Sequence, residues 1–195
     1  MRRIGVAFLA VPFILLLAIG PVAADTSPNG TSFSSSSSTC ATSGGREVCT
    51  DTNLFVSSNE DGSDGPPCLE IFKYSVSSNG RSSVISDEFG CASSGSMSVG
   101  ADLSVTVAPT DISLDNCNRQ HCSSRIVTVS ASDSPTGPIS TSTTRSTTKS
   151  GNCTTKTTTT DQFADLAGTM TIDGIVYDEQ GSIDVFTSTS TTHCK

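Results

Sequence analysis

The sequence predicts an all-β fold, a disulfide-stabilised antiparallel β-sandwich or partly open barrel, and three observations carry that expectation. β-Branched and aromatic residues alternate with Ser and Thr in short runs bounded by Gly, Asn, Asp and Pro, and no stretch shows a helical period. Examples are LEIFKYSV at 69–76, DLSVTV at 102–107, RIVTVSA at 125–131 and IDVFT at 183–187. Large core-forming side chains are scarce: of 195 residues 34% are apolar, 5% are aromatic and none is Trp, whereas Ser and Thr number 62. Finally, eight cysteines are distributed about the turns, so cross-links can supply stability that a thin core cannot.

The N-terminal segment sets the compartment in which those cysteines are read. Arg2 and Arg3 precede an apolar run over 4–19, followed by small residues over 20–24. This is the pattern of a signal peptide spanning 1–24, cleaved after Ala24. An apolar run of about 16 residues interrupted by Pro12 falls short of the ~20 that a membrane-spanning helix needs, so no transmembrane anchor is expected. Residues 25–32, rich in Ser, Thr, Pro and Gly, read as a flexible leader. A single all-β domain is expected over 33–195, in a protein that is exported to the extracellular side.

In an oxidising compartment eight cysteines imply up to four disulfides, and the turns narrow the connectivity. Facing residues of a two-residue hairpin have numbers with the same sum as the two loop residues. Gly44 and Gly45 share that sum with Cys40 and Cys49, Asn79 and Gly80 with Cys68 and Cys91, and Asp173 and Gly174 with Cys153 and Cys194. Cys117 and Cys122 straddle a short loop. Consecutive pairing is therefore expected. The Cys153–Cys194 bond makes the greatest demand, because it requires an uninterrupted ladder through 162–168, where a bulge or loop is expected.

A degenerate duplication is also legible. LFVSS at 54–58 aligns with IVTVS at 126–130, Asn79-Gly80 with Gly151-Asn152, DEF at 87–89 with DQF at 161–163, and GSMSV at 95–99 with GTMTI at 168–172, in conserved order. Two pseudo-repeated halves are expected, at 33–112 and 113–195.

The charge balance excludes some partners. Eleven basic residues lose Arg2 and Arg3 with the signal peptide, leaving nine against nineteen acidic ones. That argues against nucleic acid as a partner, since phosphate binding needs clustered Lys and Arg. Nor does the chain carry a nucleophile elbow, a P-loop, a dinucleotide fingerprint or a zinc-protease motif. Cys117, His121, Cys122, His193 and Cys194 are of metal-ligating type, but the four-residue gap between Cys117 and Cys122 and the oxidising compartment favour disulfides over zinc.

Two features remain as site candidates. Glu60, Asp61 and Asp64 lie in an acidic Gly-containing loop that supplies oxygen ligands of the kind Ca²⁺ takes, without matching the helix-loop-helix spacing, so no other cofactor is expected. Hydroxyl runs occur at 141–148 (TSTTRSTT), 154–160 (TTKTTTT) and 187–192 (TSTSTT), and on a strand Thr155, Thr157 and Thr159 share one face. Such a surface suits carbohydrate or the flat β face of a partner protein. The expected function is that of an extracellular binding or structural module acting through a Ser/Thr-rich surface. The alternative is a secreted hydrolase using an Asp/Glu pair, with catalysis the lesser expectation.

Overall fold

Residues 29–43, 46–57, 65–94, 97–117 and 121–194 are described by a computed structural model. The signal peptide expected at 1–24 and the first half of the leader, 25–28, lie outside these residues. Ten strands follow one another: β1 (Asn29–Ser43), β2 (Arg46–Ser57), β3 (Cys68–Ser77), β4 (Ser82–Cys91), β5 (Met97–Val99), β6 (Val105–Cys117), β7 (Cys122–Pro135), β8 (Ser140–Ser150), β9 (Cys153–Ile172) and β10 (Ile175–Cys194). The expected leader is thus cut short at its end, because residues 29–32 already pair with β10.

All the strands belong to one antiparallel sheet in the order β10-β1-β2-β3-β4-β6-β7-β9-β8, and β10 also pairs with β9. That last pairing closes eight strands into a ring, so the architecture takes the barrel form. An eight-stranded barrel is just wide enough for its interior to be filled by side chains, and alternate residues of each strand fill it here. Phe33, Leu54, Val56, Leu69, Ile112, Leu114, Val127, Met170 and Ile183 are each no more than 1% exposed. The seam between β4 and β6 is the weakest in the ring, with one paired position, Phe89 opposite Asp115. Close approach there requires Gly90, since a Cβ would collide with the Ser113 carbonyl. At the end of the barrel where β4 ends, Ala92, Met97 and Leu103 from the β4–β6 connection are buried and close the interior.

The cysteines pair consecutively: Cys40–Cys49, Cys68–Cys91, Cys117–Cys122 and Cys153–Cys194, with Cα separations of 4.1, 3.9, 4.1 and 4.0 Å. These are the short separations of the narrow, non-hydrogen-bonded positions of antiparallel ladders. Two details differ from the sequence expectation. The β9–β10 ladder runs without a break from Ile172–Ile175 to Cys153–Cys194, so the bulge or loop expected over 162–168 is regular strand. Its residues alternate properly, with Ala164 and Leu166 inward, and Gly168 permits close packing on β7.

The β3–β4 turn is not the expected two-residue Asn79-Gly80 hairpin. Gly80 N–H donates to the Ser77 carbonyl, Ser77 N–H donates to the Arg81 carbonyl, and Gly80 has φ 77°, which makes a three-residue loop closed by a bulged glycine. Facing residues next to the turn are therefore offset by one, as in Val76 opposite Ser82. A second irregularity between Lys73 and Tyr74 leaves Ile85 unpaired and restores the register that sets Cys68 opposite Cys91. The correct disulfide thus arises from two compensating single-residue shifts.

Candidate functional site

The ladder register builds the most distinctive surface. Beyond the barrel wall β9 continues toward its own N-terminus, flanked by β8 on one side and by the C-terminal half of β10 on the other. β8 is exposed along its whole length, and residues 187–194 of β10 are almost all exposed, so this three-stranded ribbon stands clear of the core. The ribbon leaves the end of the barrel opposite the β9–β10 turn. It forms because β7 stops at Pro135, and Gly137 and Pro138 then break the edge before β8 resumes alongside β9.

Directly facing residues of an antiparallel sheet share a face. The rows Thr148–Thr155–Thr192, Ser146–Thr157–Ser190 and Thr144–Thr159–Ser188 therefore form a three-by-three array of hydroxyls on one face of the ribbon. This face continues the outer wall of the barrel and carries no charge within those rows. Thr155, Thr157 and Thr159 occupy its central column. Hydroxyl pairs bridge the strands, Thr155 to Thr192 at 2.8 Å and Thr157 to Ser190 at 2.9 Å, which fixes the rotamers that present the methyl groups. At the foot of the same face Asp184 lies beside Asp161. Partial burial, then a hydrogen bond and repulsion from Asp161, push the Asp184 carboxyl up to about 6.

The opposite face consists of the rows Lys149–Thr154–His193, Thr147–Lys156–Thr191, Arg145–Thr158–Thr189 and Thr143–Thr160–Thr187. The three basic residues of the ribbon's Lys and Arg complement thus all lie on one side. Sequence periodicity does not show this segregation, because it depends on how three separate segments register against each other.

A second polar region lies inside the barrel. Asp133 on β7 and Glu179 on β10 flank Gly168 of β9, at 2% and 3% exposure. A side chain at Gly168 would collide with the Ser132 carbonyl and the Asp133 carboxylate, so glycine there makes room for the pair. Ser35 Oγ donates to Glu179 Oε2 at 2.6 Å. Both oxygens of Asp133 and Oε1 of Glu179 meet no donor among the described residues, so a proton held between the two carboxyls is what can bond them to each other. Burial, followed by the repulsion of Asp133, pushes Glu179 from 4.5 up to about 8, against the lowering effect of the Ser35 bond, and burial raises Asp133 as well. Both carboxyls are buried inside the barrel, whereas glycoside hydrolysis uses a pair open to a sugar ring and set about 5 to 10 Å apart.

At the β9–β10 turn end of the barrel a cavity of ≈ 330 Å³ is lined by Thr50, Thr52, Ile71, Lys73, Glu88, Arg125 and Tyr177 among others. Arg125 Nε donates to Glu88 at 2.7 Å across its rim, so these two charges are already satisfied by each other.

The remaining candidates are quickly placed. Glu60, Asp61 and Asp64 lie outside the described residues. Cys117, Cys122 and Cys194 are bound in disulfides, and so are Cys40 and Cys49, which cluster with Glu47 at metal-ligating distance. Their sulfurs are therefore not thiolate ligands. Among the described residues no helix is long and apolar enough to cross a membrane. Compared with known proteins, the chain matches no protein-family model, no curated protein and no solved structure at a significant level.

Proposed function

We propose that this protein is an extracellular binding module whose β8–β9–β10 ribbon is the contact element and whose ligand is carbohydrate. The observation that carries this reading is the in-register array of hydroxyls on one uncharged face, standing clear of the core. The strands that carry the hydroxyls are about 4.8 Å apart, and alternate residues of one strand are about 6.7 Å apart. Such a grid offers donors, acceptors and methyl groups to a polyol without the desolvation cost of burying charge. Four disulfides suit an oxidising extracellular setting, and the Cys153–Cys194 bond at the ribbon's tip ties β9 to β10 beside the array.

The test is a glycan array probed with the mature chain and with the T155V/T157V/T159V variant. Valine keeps shape, methyl groups and β propensity while removing the central column of hydroxyls. Retention of neutral glycans by the parent, with at least tenfold loss in the variant and an unchanged barrel melt, is the expected result. Equal retention by both proteins would remove the hydroxyl array from the function.

A further inference from the structure

The face of the ribbon opposite the hydroxyl array is chemically different from the rest of the molecule. Of the nineteen acidic residues in the chain, none falls within 143–150, 153–160 or 187–194. Arg145, Lys149 and Lys156 do, and the register turns all three to one side together with His193. Lys156 lies opposite Thr147, midway between Arg145 and Lys149, so the three cations form a zigzag with steps of roughly 8 Å at normal sheet spacings. All three are exposed, and no ion pair engages them among the described residues. The formal charge of the whole chain is −8, so an acidic body carries a separate cationic strip. Nothing in barrel packing requires this separation, because neither face of the ribbon is buried.

We propose that this strip binds a linear acidic polysaccharide, one that bears carboxylate or sulfate groups along its length. The inference rests on the reading of the ribbon as a carbohydrate-contact element and names the ligand class of its second face. Charge complementarity selects an anion, and arginine presents a planar fork that matches carboxylate and sulfate oxygens. The shape selects a single extended chain: three strands make a platform about 10 Å wide. Thr147, Thr154, Thr158, Thr189 and Thr191 interleave with the cations and offer hydroxyls to the sugar ring between charged groups. The strip has no Phe, Tyr or Trp on which successive nucleic-acid bases could stack and no large apolar anchor of the kind that centres a protein interface. An anionic membrane is disfavoured because the acidic body would be brought close to the same surface.

Retention of the full mature chain on immobilised polygalacturonate and dextran sulfate, with uncharged dextran as comparator, tests the proposal. The expected result is retention on at least one acidic polymer at 50 mM NaCl, release by 0.5 M NaCl, and at least tenfold weaker binding by R145Q/K149Q/K156Q. R145K/K149R, which keeps the charge, should bind like the parent. T155V/T157V/T159V, altered on the other face, should also keep acidic-polymer binding, so loss of the hydroxyl-face activity and loss of this one are separable. Folding of each variant is checked by thermal melt and by the absence of free thiols. No retention on either acidic polymer, or retention that the charge-removing variant leaves unchanged, would overturn the proposal. So would tighter binding to phosphatidylglycerol vesicles than to either polymer, which would assign the strip to membranes.

Discussion

Asp133 and Glu179 are the residues whose chemistry is most at odds with their surroundings, since both are carboxylic acids inside the barrel. Glu179 titrates near 8 in the folded protein against 4.5 ordinarily, so between those values the unfolded chain binds fewer protons than the folded one. The Glu179 contribution to stability is accordingly full below about pH 4.5, is lost as pH rises through the window, and levels off above about 8. Thermal melts of the parent from pH 4 to 9 should show this decline. In E179Q the amide donates to Asp133 without a titrating proton, so the slope should become shallower, with a gain over the parent of about 2 kcal/mol at pH 9; what remains of it belongs to Asp133 and Asp184, which are also raised. A variant that declines as steeply as the parent would place the titrating group elsewhere. Both acids were legible in principle. Val127, Val129, Ala131 and Asp133 share one parity on β7, as do Tyr177, Glu179 and Ile183 on β10, so each acid sits at an inward position of an alternating strand. What parity did not reveal is that the two inward positions meet, because they lie 46 residues apart and are brought together across Gly168.

Among the elements, the hairpins divide into those that build the barrel and the ribbon that extends from it. The Cys153–Cys194 bond joins the segments of β9 and β10 that lie beyond the core, whereas Cys68–Cys91 lies beside the single-position seam between β4 and β6. Their removal should therefore have different consequences. C153S/C194S should leave the barrel melt nearly unchanged and expose the ribbon to protease, with cuts within 140–160 and 187–194. C68S/C91S should lower the global stability by about 2 to 4 kcal/mol. Limited proteolysis followed by mass spectrometry, alongside denaturant unfolding, distinguishes the two, and equal global destabilisation would contradict the division. The Asp173-Gly174 turn was legible in full, with φ values of 50° and 81° that suit a tight two-residue hairpin. The Asn79-Gly80 turn was legible in place but not in type. A turn signal specifies where a chain reverses, while the added residue and the compensating bulge at Ile85 depend on which side chains β3 and β4 turn inward.

For the whole molecule, cross-linking dominates the balance. The three disulfides that cross-link the barrel hairpins, with sequence separations of 5 to 23 residues, each contribute about 2 to 4 kcal/mol in the chain-entropy account. Together they rival the net stability of an ordinary domain. Reduction should therefore unfold most of the protein at room temperature, measurable as loss of the β signal in circular dichroism on adding a phosphine reductant; a reduced protein that still melted cooperatively near the oxidised midpoint would show that the thin apolar core suffices. The all-β class, the strand runs and the consecutive disulfides follow from alternation, turn residues and cysteine spacing, which are local quantities along the chain. Closure of the barrel through β10, the meeting of two buried acids, and the division of the ribbon into a hydroxyl face and a cationic face came from the tertiary structure. Each depends on the register between segments far apart in sequence, and a shift of one residue in that register would turn every side chain of a strand to the other face.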